Sequence, residues 1–212
     1  MVKLSQVSKL DGIRSWSLPA VTTCPGARDD SGDLVDVCKG CYATEGNYRL
    51  PNVKNAREHN REDWKRDGWV DDMVAALENE RYFRAFDSGD FYHPELINKF
   101  YEVARRAHWC KFWIPTRSHK IPHLAVGIRM LETLPNVVVR RSADRINQYD
   151  PAIHGSVVVT PGAVPDGVTI CTAYMRKPAT CNGCRACWNK SVRTIGYVAH
   201  GQGIKRVLKH AA

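Results

Sequence analysis

The sequence predicts an α/β protein: a partial, incomplete TIM-like barrel of parallel strands that degenerates toward its C-terminus. Three observations lead there. Strand-like and helix-like stretches alternate through the middle of the chain, the pattern of parallel strands joined by right-handed crossovers. The steps from Phe83 to Phe112 and on to Val138 each leave room for a crossover helix, whereas those from Val138 to Val157 and to Ile170 fall below what one needs. The chain of 212 residues is also short for a closed eight-fold barrel, which typically takes about 250.

Taken in order, residues 14–18 read as a first strand. Residues 52–65 read as a polar, mostly exposed helix, and 70–77 as an amphipathic one through Val70, Met73, Val74 and Leu77. The aromatic-rich stretch 81–86 is a strand. Residues 94–108 place Leu96, Phe100, Val103 and Ala107 on one helical face, with Pro94 suited to the first turn. Residues 112–115 form a short apolar strand, and 122–134 a helix carrying Leu124, Ile128 and Leu131. The β-branched runs 137–139, 157–159 and 168–170 complete the strands. A closing helix over 191–208, bent around Gly201 and Gly203, ends the chain. Residues 1–212 are read as one domain, with the partial barrel at 14–172 and a cysteine-rich loop plus closing helix at 173–212.

Hydrophobic residues make up 43% and charged residues 25% of the chain, which sets intrinsic disorder aside. No apolar run reaches the roughly 20 residues of a membrane helix, and the first residues lack the apolar core of a secretory signal. A cytoplasmic protein is expected. The net charge of +9 invites a nucleic-acid reading. The basic residues are scattered, however, and interleaved with Asp and Glu between Glu58 and Glu80, so the sequence argues against nucleic acid as a partner.

The 8 cysteines are more informative, because they cluster. Cys24, Cys38 and Cys41 form one set, with an Asp-, Ser- and Gly-rich loop able to fold Cys24 back on the C-x-x-C pair. Cys181, Cys184 and Cys187 stand at two successive C-x-x-C spacings, with Cys171 upstream as the candidate fourth ligand. The run resembles that of bacterial ferredoxins, in which thiolates hold iron–sulfur clusters. The same four thiolates also suit tetrahedral zinc. The first set has three thiols, enough for a cubane with one iron left open, or for zinc completed by a distant ligand such as His59, His93 or His119. Pooling both sets into one site is a third arrangement. Without an export signal, a disulfide framework is the weaker reading. Cys110, alone in an apolar stretch, is expected to be a core thiol.

Strand ends carry the remaining signal. Thr22-Thr23-Cys24, Asp87-Ser88-Gly89-Asp90, Thr116-Arg117-Ser118, Arg140-Arg141-Ser142, Thr160 and Cys171-Thr172 each follow a strand. The carboxyl ends of parallel strands line one mouth, where ligands bind.

The segments Ser15-Trp16-Ser17-Leu18-Pro19, Thr23-Cys24-Pro25-Gly26-Ala27, Cys38-Lys39-Gly40-Cys41-Tyr42-Ala43, Arg84-Ala85-Phe86-Asp87-Ser88-Gly89-Asp90-Phe91 and Cys184-Arg185-Ala186-Cys187-Trp188 resemble the phage-encoded gene-product-88 family. That family is itself similar to radical S-adenosylmethionine enzymes. The resemblance implies a [4Fe-4S] cluster on Cys24, Cys38 and Cys41, although thirteen residues separate the first two where the radical-enzyme pattern has three. It also implies an S-adenosylmethionine site at Asp87, Ser88 and Asp90, where Asp90 or Asp87 would meet the cofactor's amino group and Arg117 and Arg140 would meet a carboxylate or phosphate. Cys171, Cys181, Cys184 and Cys187 would hold a second cluster or supply ligands to a single one. A small-molecule ligand at the barrel mouth, an electron-donor protein and a place in the cytoplasm of an infected host cell complete that expectation. Two other readings stand beside it: an electron-transfer [4Fe-4S] protein on a decayed barrel, and a zinc-stabilised nucleic-acid binder.

Overall fold

The computed structural model describes residues 1–210. Its sheet has eight strands: β1 (Ser5–Val7), β2 (Ile13–Trp16), β3 (Tyr82–Ala85), β4 (Lys111–Thr116), β5 (Val137–Ser142), β6 (Gly155–Val159), β7 (Val168–Ile170) and β8 (Thr194–Val198). Six α-helices accompany them among the described residues: α1 (Asp36–Lys39), α2 (Pro51–Asp63), α3 (Trp69–Ala76), α4 (Pro94–Arg106), α5 (Pro122–Thr133) and α6 (Gln202–His210). The spatial order is β1-β2-β3-β4-β5-β6-β8-β7, antiparallel at β1–β2 and parallel elsewhere. With β1 at one edge and β7 at the other, the sheet is open rather than closed into a barrel.

Proline sets three of the helix starts. Pro51, Pro94 and Pro122 each occupy the first turn, where a fixed φ helps and the missing N–H has no partner to lose. His93 caps α4 by accepting the Glu95 N–H at 3.2 Å. Strand residues alternate between two faces. On one face, Trp16, Phe83, Ala85, Phe112, Ile114, Val137 and Val139 share a buried core with Met73 of α3, Phe100 of α4 and Ile128 of α5. Cys110 lies in this core, fully buried. On the other face, Ile13, Tyr82 and Trp113 pack with Ala173, Cys181 and Trp188.

A parallel sheet needs cover on both faces. A closed barrel fills its interior with its own strand residues; an open sheet needs another source. Here the cysteine-rich segment between β7 and β8 supplies it, held by two charged side chains. Arg140, in the middle of β5, is fully buried. Its Nε donates to the Cys187 carbonyl at 3.0 Å, its Nη1 to Val192 and Arg193 at 2.9 and 3.2 Å, and its Nη2 to Ala186 and Asn189 at 2.9 and 3.0 Å. All five guanidinium N–H groups are thus used. At the other end of the segment, Asp11 turns in the left-handed region at φ 57°. Its carboxylate accepts from the Thr180 hydroxyl at 2.6 Å, the Asn182 and Gly183 N–H groups at 3.1 and 3.0 Å, and Arg185 at 2.8 Å. Between them, the Trp188 indole donates to the Phe83 carbonyl at 2.8 Å.

Several expectations are corrected. The expected closing helix over 191–208 is two elements, the strand β8 and the helix α6. Thr194-Ile195-Gly196-Tyr197-Val198 is a β-branched and aromatic run nearly buried throughout, which favours a central strand. It inserts between β6 and β7, so the sheet continues beyond residue 172. Gly196 permits this: a Cβ there would stand 2.7 Å from side-chain atoms of both Ile170 and Val168. The strand β1 was not anticipated, being short and largely exposed. The helix expected over 52–65 is α2, but its polar face is not all solvent-facing. Asn60 is buried, and its amide donates to the carbonyls of Lys3 at 2.9 Å and Ser17 at 3.0 Å. No crossover helix joins β5 to β6 or β6 to β7, in line with the short spacings. No helix among the described residues is long and apolar enough to cross a membrane.

Two outcomes follow for stability. Arg140→Met should destabilise the protein by about 3 kcal/mol in urea unfolding, because it removes five hydrogen bonds to part-buried carbonyls at once. Arg140→Lys should recover only part of this, since an ammonium has three donors. The Asp11 carboxyl is held well below the usual carboxylate range by Thr180, Arg185 and the Gly183 N–H. Its stabilisation is therefore complete above about pH 4, the ordinary aspartate value, and is lost as pH falls through the lowered folded value. Unfolding free energies of the wild type and Asp11→Asn should differ most near neutrality and converge below about pH 4.

Candidate functional site

The first thiol set sits at the carboxyl edge of the sheet. Cys24 follows β2, Cys38 lies within α1, and Cys41 comes two residues after that helix. The intervening loop folds back because the Asp29 carboxylate accepts from the Ser31 and Asp33 N–H groups at 3.1 and 3.0 Å, and because Arg28 pairs with Leu34. The Val35 N–H then reaches the Ala27 carbonyl at 2.9 Å, closing the loop. As a result the Cys24 thiol is a neighbour of those of Cys41 and Cys38, and of the Asp90 carboxylate.

Two glycines permit this packing. A Cβ on Gly26 would lie 2.4 Å from the Arg117 carbonyl oxygen, and one on Gly40 would lie 2.7 Å from the Cα of Ile204 in α6. The second C-x-x-C position is therefore glycine because a helix backbone passes across it.

Burial pushes the Cys24 thiol up to about 12, with Asp90 adding to the effect. It also raises Cys38 and Cys41, against the opposing pull of Arg117 on both and of Arg57 on Cys41. Such thiols stay protonated near neutrality unless a metal takes the proton's place.

The rim residues are engaged mostly within the protein. Asp90 is buried, and its carboxylate accepts from the Thr116 hydroxyl at 2.6 Å and from the Arg117, Phe91 and Ser118 N–H groups at 2.7, 2.7 and 3.3 Å. It ties the end of β3 to the end of β4. The Ser88 hydroxyl donates to the Leu18 carbonyl at 2.7 Å. Asp87 accepts from Tyr48 at 2.5 Å and Arg84 at 2.6 Å. Arg140 has no N–H left for a ligand. Arg117 alone of the expected anion-binding residues keeps a donor free. Its Nη2 donates to the Ala143 carbonyl at 3.0 Å, while its Nε is buried without a hydrogen-bond acceptor, 3.6 Å from Asp144. Asp87, Ser88, Asp90 and Arg140 thus all bond within the protein.

The second set lies against the inner face of the sheet. The Cys181 thiol stands among those of Cys171, Cys187 and Cys184, and burial pushes it up to about 11. Cys187 is raised by burial too, with Tyr197, Arg140 and Arg84 working the other way. Its Sγ lies 3.5 Å from the Tyr197 hydroxyl. Cys171 is fixed where β7 ends by its N–H to the Gly196 carbonyl at 2.8 Å, and Cys181 by its N–H to the Lys9 carbonyl at 2.8 Å. Cys184 is exposed.

The structure thus keeps the cysteines as two sets of soft donors, the chemistry that suits iron–sulfur or zinc. Among the described residues, no three His, Cys, Asp or Glu side chains converge as a site for a single metal ion. The histidines are used elsewhere: His59 contacts the Met1 carbonyl at 3.1 Å, His93 caps α4, and His119 contacts the Thr116 carbonyl at 3.2 Å.

Three residues that sequence reasoning passed over lie between the sets: Arg84, Trp113 and Tyr197. Arg84 donates to Asp87 at 2.6 Å and to the Tyr42 hydroxyl at 3.3 Å, and its guanidinium covers the Trp113 ring at 4.6 Å. Burial opposes its charge, but Asp87 and Tyr42 more than offset that. The available signal was a charged residue alternating with Phe83 and Ala85 inside an expected strand, which places it on the face opposite the helices.

The model of one protein family, described as Gene product 88, matches residues 2–190. No curated protein and no solved structure matches the chain.

Gly26→Ala and Gly40→Ala should each destabilise the protein by about 1–3 kcal/mol in thermal or urea unfolding, the range for overpacking a tight site. Limited proteolysis should show cleavage opening first in the segment between Cys24 and Cys41.

Proposed function

The chain belongs to the gene product 88 family, and from that membership and the thiol geometry we propose that it is an iron–sulfur protein built on a TIM-like barrel left incomplete. Cys24, Cys38 and Cys41 hold one [4Fe-4S] cluster at the carboxyl edge of the sheet. Cys171, Cys181, Cys184 and Cys187 hold a second against its inner face. The observation that carries this reading is the arrangement of the thiols. Those of each set are close enough to act on one another's ionisation, and Cys171, Cys181 and Cys187 share one buried cluster. The positive charge of buried Arg140 and part-buried Arg84 beside the second set, and of buried Arg57 and part-buried Arg117 beside the first, suits an anionic cluster.

When bound, such clusters supply one-electron chemistry. Electron transfer is the function this geometry supports best, because the rim carboxylates and Arg140 are already committed within the protein. A second reading, chemistry of the radical S-adenosylmethionine type, is favoured by one observation: the first set has three thiols, which leaves one iron of a cubane without a protein ligand.

Anaerobic reconstitution with iron and sulfide should give about eight irons and eight sulfides per chain if both cubanes assemble. Replacing Cys38 and Cys41 by Ala should remove half of that, and replacing Cys181 and Cys187 the other half. Stoichiometric zinc without iron after anaerobic purification would overturn the reading. Formation of 5′-deoxyadenosine from S-adenosylmethionine and dithionite would establish the radical reading over electron transfer.

A further inference from the structure

The inner face of the sheet carries two buried donors with nothing to bond. The Arg84 Nε and the Trp113 Nε1 are both buried, and neither has an acceptor. They belong to neighbouring side chains, since the Arg84 guanidinium lies 4.6 Å from the centre of the Trp113 ring. Trp113 is 4% exposed. Leaving a buried N–H without a partner costs about 1–3 kcal/mol, and more for a charged group, so two on adjacent side chains mark a place where an acceptor belongs. The surroundings identify that acceptor. Trp113 packs edge-to-face on Trp188 at 5.1 Å, and both share a buried cluster with Cys181, Cys171 and Cys187. Sulfur of a cluster in that set is an anionic acceptor within the same cluster of side chains. Hydrogen bonds and positive charge at cluster sulfurs raise the reduction potential, because reduction adds negative charge that they stabilise.

The geometry points to Arg84 and Trp113 as the tuning donors of the second thiol set: we propose that their unpartnered N–H groups bond the sulfur of a cluster held by Cys171, Cys181, Cys184 and Cys187. Arg84 also reaches the surroundings of the first set. It bonds the hydroxyl of Tyr42, which directly follows Cys41, and also Asp87, whose backbone carbonyl accepts from the same hydroxyl at 2.7 Å. One guanidinium therefore joins Tyr42 and Asp87 to Trp113.

This inference rests on the iron–sulfur reading, and one set of measurements separates the two. Iron and acid-labile sulfide in the reconstituted wild type decide that reading. Redox titration followed by electron paramagnetic resonance then decides the inference in Trp113→Phe, Arg84→Lys and Arg84→Met. Each should load iron like the wild type yet show the second set's cluster harder to reduce, by roughly tenfold in the reduction equilibrium for a lost hydrogen bond, about 59 mV for one electron. Arg84→Met should shift most, because it loses charge as well as donor. The Cys38→Ala, Cys41→Ala protein, retaining only the second set, assigns the signal. A loaded Trp113→Phe and Arg84→Lys with unshifted potentials would overturn the inference while leaving the clusters intact. A wild type that binds no cluster would overturn both. Should Arg84→Met fail to fold or load, the other two substitutions still decide.

Discussion

The buried guanidinium of Arg140 is the interaction on which the rest of this structure depends. A sheet of parallel strands that does not close leaves its inner face bare, and burying a segment of irregular backbone there would strand its carbonyls. Arg140 meets that difficulty from the middle of β5, donating to five carbonyls of the segment that brings Cys187 to the sheet. Trp188 adds a bond to the backbone of β3, and Asp11 pins the far end. Cover for the inner face and placement of the second thiol set are therefore one device. A side chain that looked suited to an anionic ligand is instead the fastener of a loop, and the same side chain brings positive charge close to the Cys187 sulfur.

Much of the fold was legible because its signals are local. Helix starts at Pro94 and Pro122, helical spacing in α4 and α5, and β-branched runs in β5, β6 and β7 all announce themselves within a few residues. The insertion of β8 between β6 and β7 was not legible. It depends on a long-range pairing, and the glycine at its centre reads locally as a break rather than as room for Ile170 and Val168. The same division holds for the site. The C-x-x-C spacings are local and identify the thiol groups, and the polar strand ends mark the edge where Cys24 lies. What each rim side chain does is set by partners far away in sequence: Asp90 by Thr116 and Arg117, Arg140 by residues 186–193, and Asp87 by Tyr48. Residue type suggested ligand binding for all three, and only the folded neighbourhood shows how fully they are engaged.

The two thiol sets are supported differently. The first rests on loop closure: an aspartate turn, a short helix and two glycines that let Arg117 and α6 approach to van der Waals contact. The second rests on charged anchors and aromatic packing against the sheet. Soft sulfur donors in a buried, positively charged setting are costly as free thiolates and favourable as ligands. Arg84 on β3, Asp87 just beyond it, Tyr42 beside Cys41 and Tyr197 on β8 form a polar seam between them.

The strand order also carries a consequence for how the chain assembles. β6 and β7 are made one after the other, but each pairs with β8 and not with the other. The far edge of the sheet therefore stays unpaired until β8 has been synthesised. By then the segment bearing Cys171, Cys181, Cys184 and Cys187 has already been synthesised, since it lies between β7 and β8. Threading β8 into its slot and laying that segment against the inner face are therefore a single event. An iron–sulfur group delivered to these cysteines would meet them during this window, while the backbone around them is still free to move.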